Sequence, residues 1–318
     1  MFLVCGEALM DVFAQGDTET GMALDARIGG SPLNVAIGLA RLGQRVQFLG
    51  GLSRGFLGDR LRRALVAEGV DLTLAASLDA PTTLSLVGLD ACGSASYAFY
   101  GEGCADRMLQ AQHLVHPRPE VLALHFGSYT MVVEPTAGTQ RLLIEQTSTE
   151  CVISYDPNIR LNVEPDRARW VSTADWMARR AHVFKVSSED LEQLYPGKPA
   201  RAVADGWLAL GVRVVVVTRG SEGALAFTHR DAVGLPASPV AVVDTVGAGD
   251  SFQAAMLCWL AEQNLLSIHG VSSLSGERLL AMLGFASNAA AITCTRRGAE
   301  LPRRLELPPA PLEARSRA

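Results

Sequence analysis

The sequence has no paired cysteines, no basic excess and no long apolar run, and each absence closes off a class of protein. Its six cysteines (Cys5, Cys92, Cys104, Cys151, Cys258 and Cys294) are scattered without a CxxC pair. Neither a disulfide framework nor a zinc site is indicated, and reduced thiols in a cytoplasmic protein are expected. Lysine plus arginine number 28 against 33 aspartate plus glutamate, a net charge of −5. That balance offers no electrostatic footprint for nucleic acid and none for a membrane surface. Uninterrupted apolar stretches are far too short to span a bilayer. The N-terminal MFLVCGEALMD lacks a basic leader, and Glu7 and Asp11 break it early, so it does not read as a signal peptide. Two phosphate-binding fingerprints are missing as well: no glycine loop ends in Gly-Lys-Ser/Thr, and the Rossmann GxGxxG does not occur. Without an early glycine fingerprint, a dinucleotide-dependent oxidoreductase is disfavoured.

What is present is core-forming. Of 318 residues, 48 % are hydrophobic, enough for one large α/β domain over residues 1–318. Near-continuous apolar runs of strand length, FLVC, VQFLG, VLALHF, CVISYD, HVFKV and VRVVVVT, suit strands buried on both faces of a parallel sheet. Helices are expected over Pro32–Leu42, Gly58–Glu68, Thr136–Gln146, Asp166–Met177, Ala200–Leu210, Asp250–Leu260 and Gly276–Ile292. The alternation predicts a doubly wound, mostly parallel sheet flanked by helices. Thr82–Gly101 breaks the pattern, since its period of two predicts an antiparallel hairpin turning near Asp90–Gly93. With residues around Val12–Ile28 it would form a small β-sheet lid, built from inserted segments about 12–28 and 82–104. The proline- and charge-rich tail from Leu301 reads as a wrapping or frayed terminus.

In such folds ligands bind beyond the carboxyl ends of the strands. There the sequence places Glu7 and Asp11 after FLVCG, Asp156, Asn158 and Arg160 in DPNIR, the SSED segment after HVFKV, and RGSEG after VRVVVVT. Each alone could be turn chemistry. In GGSPLNVAIGLARLG, Ser31 as N-cap and Pro32 at the first helical position start a helix. Asn34 in its first turn either satisfies local backbone groups or meets a ligand's hydroxyls.

In VVDTVGAGDSFQAAML, Gly247, Ala248 and Gly249 bare N–H groups at the positive end of a helix, a natural cradle for an anion. Asp250 follows directly. It could serve only as a dipole partner. It also suits phosphoryl transfer, in which the cradle stabilises phosphoryl oxygens while a carboxylate beside it takes the proton of the attacking alcohol.

DTVGAGDSF, together with GGSPLNVAIGLARLG and GGLSRGFLGD, resembles the two signatures of the PfkB, or ribokinase-like, sugar kinases. The resemblance implies a ribokinase-like fold with a β-sheet lid and an ATP-dependent sugar kinase. By it, Asp250 matches the catalytic base, and Gly247, Ala248 and Gly249 the anion hole. Asp11, Gly30 and Asn34 match sugar-contacting positions, and Arg160 an arginine reaching the phosphates. Asn158, Ser187, Thr218, Gly220, Gly223, Gly249 and Asn288 match nucleotide-binding positions. Mg²⁺ with ATP is implied, and the family's Asn-x-x-Glu motif, tied to Mg²⁺, stands here as Ser187 to Asp190. Asp244 matches the start of a loop that in many members binds a monovalent cation such as K⁺. A homodimer paired through the lids is also implied. DPNIR, FKVSSEDL and AFYGEGCADRML make the chain most similar to bacterial and plant fructokinases, which implies transfer to the C6 hydroxyl of D-fructose. Ribose, 2-keto-3-deoxygluconate or a nucleoside would keep the same machinery, and a non-catalytic sugar-binding member is the remaining alternative. Similar fructokinases carry an arginine where this chain has Gly101.

Overall fold

The structure is a computed structural model, and it describes residues 1–89, 95–114, 120–147 and 151–309. Strand β1 (Phe2–Cys5) opens the main sheet. The chain leaves it for β2 (Leu9–Asp17) and β3 (Met22–Gly29), then returns through α1 (Ser31–Arg41) to β4 (Val46–Leu49). A short pair, β5 (Gly51–Ser53) and β6 (Ala76–Leu78), brackets α2 (Phe56–Ala67), and β7 (Leu84–Leu89) and β8 (Ala95–Tyr100) go back to the small sheet. Strands and helices then alternate through β9 (Ala123–Gly127), α3 (Thr136–Gln146), β10 (Val152–Asp156), α4 (Arg167–Ala178), β11 (Val183–Ser187), α5 (Ser188–Leu194), α6 (Ala200–Leu210) and β12 (Val214–Thr218). A hairpin, β13 (Ala224–Phe227) and β14 (Ala232–Leu235), ends the sheet, and α7 (Ala248–Glu262), α8 (Ile268–Ser272) and α9 (Gly276–Cys294) follow.

The eight-stranded sheet runs β4-β1-β9-β10-β11-β12-β13-β14. It is parallel from β4 to β12, and only the terminal hairpin is antiparallel. This is the doubly wound, mostly parallel fold expected. The apolar strands serve two cores by alternation: Val214 and Val216 join the layer of α1, α7 and α9, while Val215 and Val217 join that of α3, α4 and α6. The four-stranded small sheet runs β3-β2-β7-β8, with β2 and β7 parallel and the outer pairs antiparallel. Its first strand begins at Leu9, and residues 101–104 form a turn after β8. The expected turn near Asp90–Gly93 lies outside the described residues, apart from its flanking strands.

One local expectation changes, at the start of α1. Gly30, not Ser31, caps α1, because its positive φ of 105° turns the chain into the helix and Ser31 becomes the first helical residue. The tail, over its described part, wraps. Leu301 is buried where a side chain on Gly38 would stand, 2.5 Å from that position, and Ala254 on α7 lies 2.8 Å from the same point. Arg41 holds the Leu301 carbonyl at 2.8 Å and Glu68 at 2.7 Å, and Arg304 pairs with Glu262 at 2.6 Å.

Candidate active site

Strand β1 lies between β4 and β9, and the chain goes from β1 towards β4 but from β9 towards β10, so the connections at these two carboxyl ends part and open a crevice there. A cavity of about 640 Å³ fills it, under the small sheet. Its lining brings together Asp11, Gly30, Asn34, Asn158, Arg160, Gly247, Gly249 and Asp250 from the expected set.

Asp250 sits in the first turn of α7, whose N-cap Gly247 has φ 78° in the left-handed region. A side chain at Gly247 would strike Ala299, 2.5 Å away, so glycine is required by space as well as by dihedral. The first N–H groups of the helix have no intrahelical acceptor, and that of Ala248 donates to the Thr245 carbonyl at 3.2 Å. The start of α1 meets the start of α7 at the carboxylate. Ser31 donates its hydroxyl to Asp250 Oδ1 at 2.6 Å, and Asn34 donates its amide to Oδ2 at 2.8 Å. Asn34 thus directs its side-chain amide to Asp250 rather than to local backbone. It fixes the plane of the acid.

Asp11 faces the same space from β2. Its carboxyl is pushed above the ordinary carboxylate range by burial, against the pull of the Ser85 hydroxyl and of Arg160. Gly29 lacks a side chain because the Asp11 carboxylate occupies that place, 2.1 Å from where a Cβ would lie. Glu7 follows β1 and is 1 % exposed. Burial pushes its carboxyl up to about 8, despite hydrogen bonds from backbone and Ser128. Asn158 adopts φ 38°, and this turn aims Arg160 at the cavity, where its guanidinium also holds the Ile159 carbonyl at 2.8 Å.

The remaining expected residues lie outside the lining. Ser187 caps α5, and its hydroxyl donates to Asp190 Oδ2 at 2.8 Å while accepting the Asp190 N–H at 3.0 Å. Asp190 Oδ1 accepts the Ile159 N–H at 2.9 Å, which ties the DPNIR loop to α5. Thr218 ends β12, and Gly220 and Gly223 shape the next turn with φ of 52° and 92°. Asn288 is half-buried on α9, and Ala248 is the first residue of α7. Asp244 clips two loops, accepting from Val246 N at 3.1 Å and Gly298 N at 2.8 Å. Among the described residues no cluster of three or more His, Cys, Asp or Glu could hold a metal ion. With Asp190 and Asp244 both engaged by protein donors, the donor set suits a cation carried by a ligand's phosphates better than a caged one.

Two features escaped the sequence reading. Lys185 lines the cavity from β11, buried and paired with Asp156 at 2.7 Å. A lysine inside the apolar run HVFKV was the available signal, since lysine is almost never fully buried without a partner. The second concerns Gly101. A Cβ there would lie 2.2 Å from Arg107 Nη2, so the Arg107 guanidinium fills the place of the absent side chain. It rests 5.1 Å from the centre of the Tyr129 ring, which lines the cavity. The small sheet's neighbourhood thus keeps a positive charge, supplied from another position.

Among described residues no helix is long and apolar enough to cross a membrane. A curated fructokinase from Rhizobium leguminosarum bv. trifolii is 38 % identical over 281 residues, covering 88 % of this chain and 85 % of that protein. The crystal structure of a fructokinase with bound ATP from Xylella fastidiosa superimposes with a TM-score of 0.85 at 28 % identity, covering 96 % of this chain and 94 % of that one. A fructokinase from Vibrio cholerae O395, solved with fructose, ADP and a calcium ion, gives a TM-score of 0.79 at 25 % identity, covering 94 % of each chain. A double mutant of it was solved with fructose, ADP and a potassium ion. Residues 1–304 match the model of the pfkB family carbohydrate kinases, and the chain belongs to that family.

Proposed function

We propose that the protein transfers the γ-phosphoryl group of ATP to the C6 hydroxyl of D-fructose, giving fructose 6-phosphate. The observation that carries this reading is Asp250 at the mouth of α7, clamped by Ser31 and Asn34 beside a cavity lined with Asp11 and Arg160. Fructose as substrate is drawn from the fructokinases the chain is similar to. In this reading Asp250 takes the proton of the attacking hydroxyl, and the N–H groups of residues 247–249 stabilise the phosphoryl oxygens. Asp11 and Asn34 orient the sugar's hydroxyls, and Arg160 reaches the phosphates with its planar fork. Asn158, Ser187, Thr218, Gly220, Gly223 and Asn288 form the nucleotide side. Mg²⁺ carried by ATP would offset phosphate charge, with Asp190 as the residue on its side of the site, and the Asp244 loop would hold K⁺. The small sheet closes over the sugar as a lid and excludes water. Its edge strands pair in a homodimer, which would cover Met22, Leu24 and Tyr100, now exposed by 57 %, 54 % and 60 %.

The test is ADP release in a coupled assay against fructose, ribose, glucose, mannose, 2-keto-3-deoxygluconate and adenosine. Preference for fructose supports the proposal. Turnover of another substrate keeps the chemistry and replaces the sugar, while silence across the panel in folded, ATP-binding protein refutes the kinase reading.

A further inference from the structure

Lys185 and Lys198 are the chain's two lysines among 28 basic side chains, the rest being arginine. Lys198 lies on the surface over Tyr195. Lys185 is the opposite case. Its side chain is 5 % exposed, and it pairs with Asp156 Oδ2, at 2.7 Å, itself 3 % exposed. It stands on the strand face that turns towards α7, flanked by Phe184 and Val186 in the other core. Its ammonium lies 3.1 Å from where a Cβ on Gly249 would be. The charge therefore sits directly beneath the cradle, lines the cavity and is near enough to interact electrostatically with Asp250.

Burying an ion pair costs desolvation that its mutual attraction often fails to repay, so stability alone is a weak reason for this pair. A compact ammonium suits the spot better than a fork would, because it can face several oxygens as a point charge. An ammonium has three donors, and the Asp156 contact engages one of them. We propose that Lys185 is a further catalytic residue, whose ammonium contacts the oxygens of the phosphoryl group in flight, and that Asp156 is the positioning residue that holds it under Gly249. This rests on the kinase reading above. In the transfer, the bond from phosphorus to the β–γ bridging oxygen breaks and its electron pair leaves with ADP. A bond forms from phosphorus to the sugar oxygen, whose proton passes to Asp250. Lys185 keeps its protons and offsets charge on the equatorial oxygens throughout.

The test compares the parent enzyme with Lys185→Met/Asp156→Asn, which removes the charge pair without leaving either half unpaired, and with Asp156→Asn. Turnover by the parent is measured first, so failure of the kinase reading is seen separately, as absence of parent activity across the sugar panel. With the parent active, kcat of the double variant should fall about 10²–10³-fold while KM for the sugar stays within about threefold. Asp156→Asn, which keeps the ammonium but loosens it, should lose about tenfold. A double variant within about fivefold of the parent's kcat would overturn the assignment, as would equal losses in both variants. Should the double variant not fold, Lys185→Gln is read by the same criteria. Failure of both neutral variants to fold would make the pair structural and also overturn it.

Discussion

Asp250→Asn separates the acid's chemistry from its place in the structure. The carboxylate accepts two hydrogen bonds, from Ser31 at 2.6 Å and from Asn34 at 2.8 Å. An asparagine can keep both contacts. Its oxygen accepts from the Asn34 amide, and its NH₂ donates to the Ser31 hydroxyl, which then acts as acceptor. The change of charge-assisted to neutral hydrogen bonds should cost no more than about 1–2 kcal/mol in stability. The amide cannot take a proton at neutral pH, and general-base catalysis contributes about 10²–10⁴-fold in rate. We therefore expect kcat for sugar-dependent ADP release to drop by at least about 10²-fold, with KM for both substrates within about threefold. Ser31→Ala and Asn34→Ala should each lose less, about tenfold, because they remove alignment and leave the base. A kcat for Asp250→Asn within tenfold of the parent, in protein with an unchanged melting curve, would refute the assignment of the base.

The buried Glu7 carboxyl, held protonated up to about pH 8, gives a stability that falls as pH rises. Between the unfolded value of 4.5 and 8 the folded state binds more protons, so stability declines with a limiting slope of about 1.4 kcal/mol per pH unit from this group. Glu7→Gln should flatten that slope and raise Tm at pH 8 relative to the parent, and an unchanged Tm–pH curve would count against it. Leu301→Ala should cost about 2–5 kcal/mol in denaturant unfolding, since Leu301 fills the gap left by Gly38 and is 2 % exposed. Gly247→Ala should lower kcat and destabilise, because φ 78° disfavours a side chain and its methyl would displace Ala299. Full activity in that variant would show the cradle to be tolerant. Sedimentation should give a dimer in the micromolar range, and a monomer there would remove the lid-pairing proposal.

The sheet was legible because buried parallel strands cannot help being apolar on both faces, and runs such as VRVVVVT have few other uses. Helices α3 and α6 were placed residue for residue, as Thr136–Gln146 and Ala200–Leu210. The start of α1 was misplaced by one residue for a physical reason. Ser31 has the chemistry of a cap, but its hydroxyl is drawn to Asp250, 219 positions away in sequence, and Gly30 takes over the turn. No local rule contains that partner. The same limit hid the pairing of β2 with β7 and the placing of Arg107 at Gly101, both fixed by tertiary contact. Lys185 was legible as an oddity in its strand, yet its reason lay in Gly249 and Asp156, on separate elements.

An acid at an anion site is a conflict only if one helix is considered. Two helices begin at this point, and each presents the positive end of its dipole. Asp250 is thus surrounded by donors: the starts of α1 and α7, the Ser31 hydroxyl, the Asn34 amide and the Lys185 ammonium close by. Those groups hold a negative charge there without the cradle having to do so, and Gly247 and Gly249 of the cradle line the cavity. The glycine requirements follow from the same convergence. Gly247 turns the chain between Ala299 and the helix, and Gly249 leaves room above Lys185. Asp250→Ala should then be worse for folding than Asp250→Asn, because it strands the Ser31 hydroxyl and the Asn34 amide as buried donors with lost partners. If instead Asp250→Ala melts above the parent while Asp250→Asn does not, the donors around the acid repel one another less than this account requires.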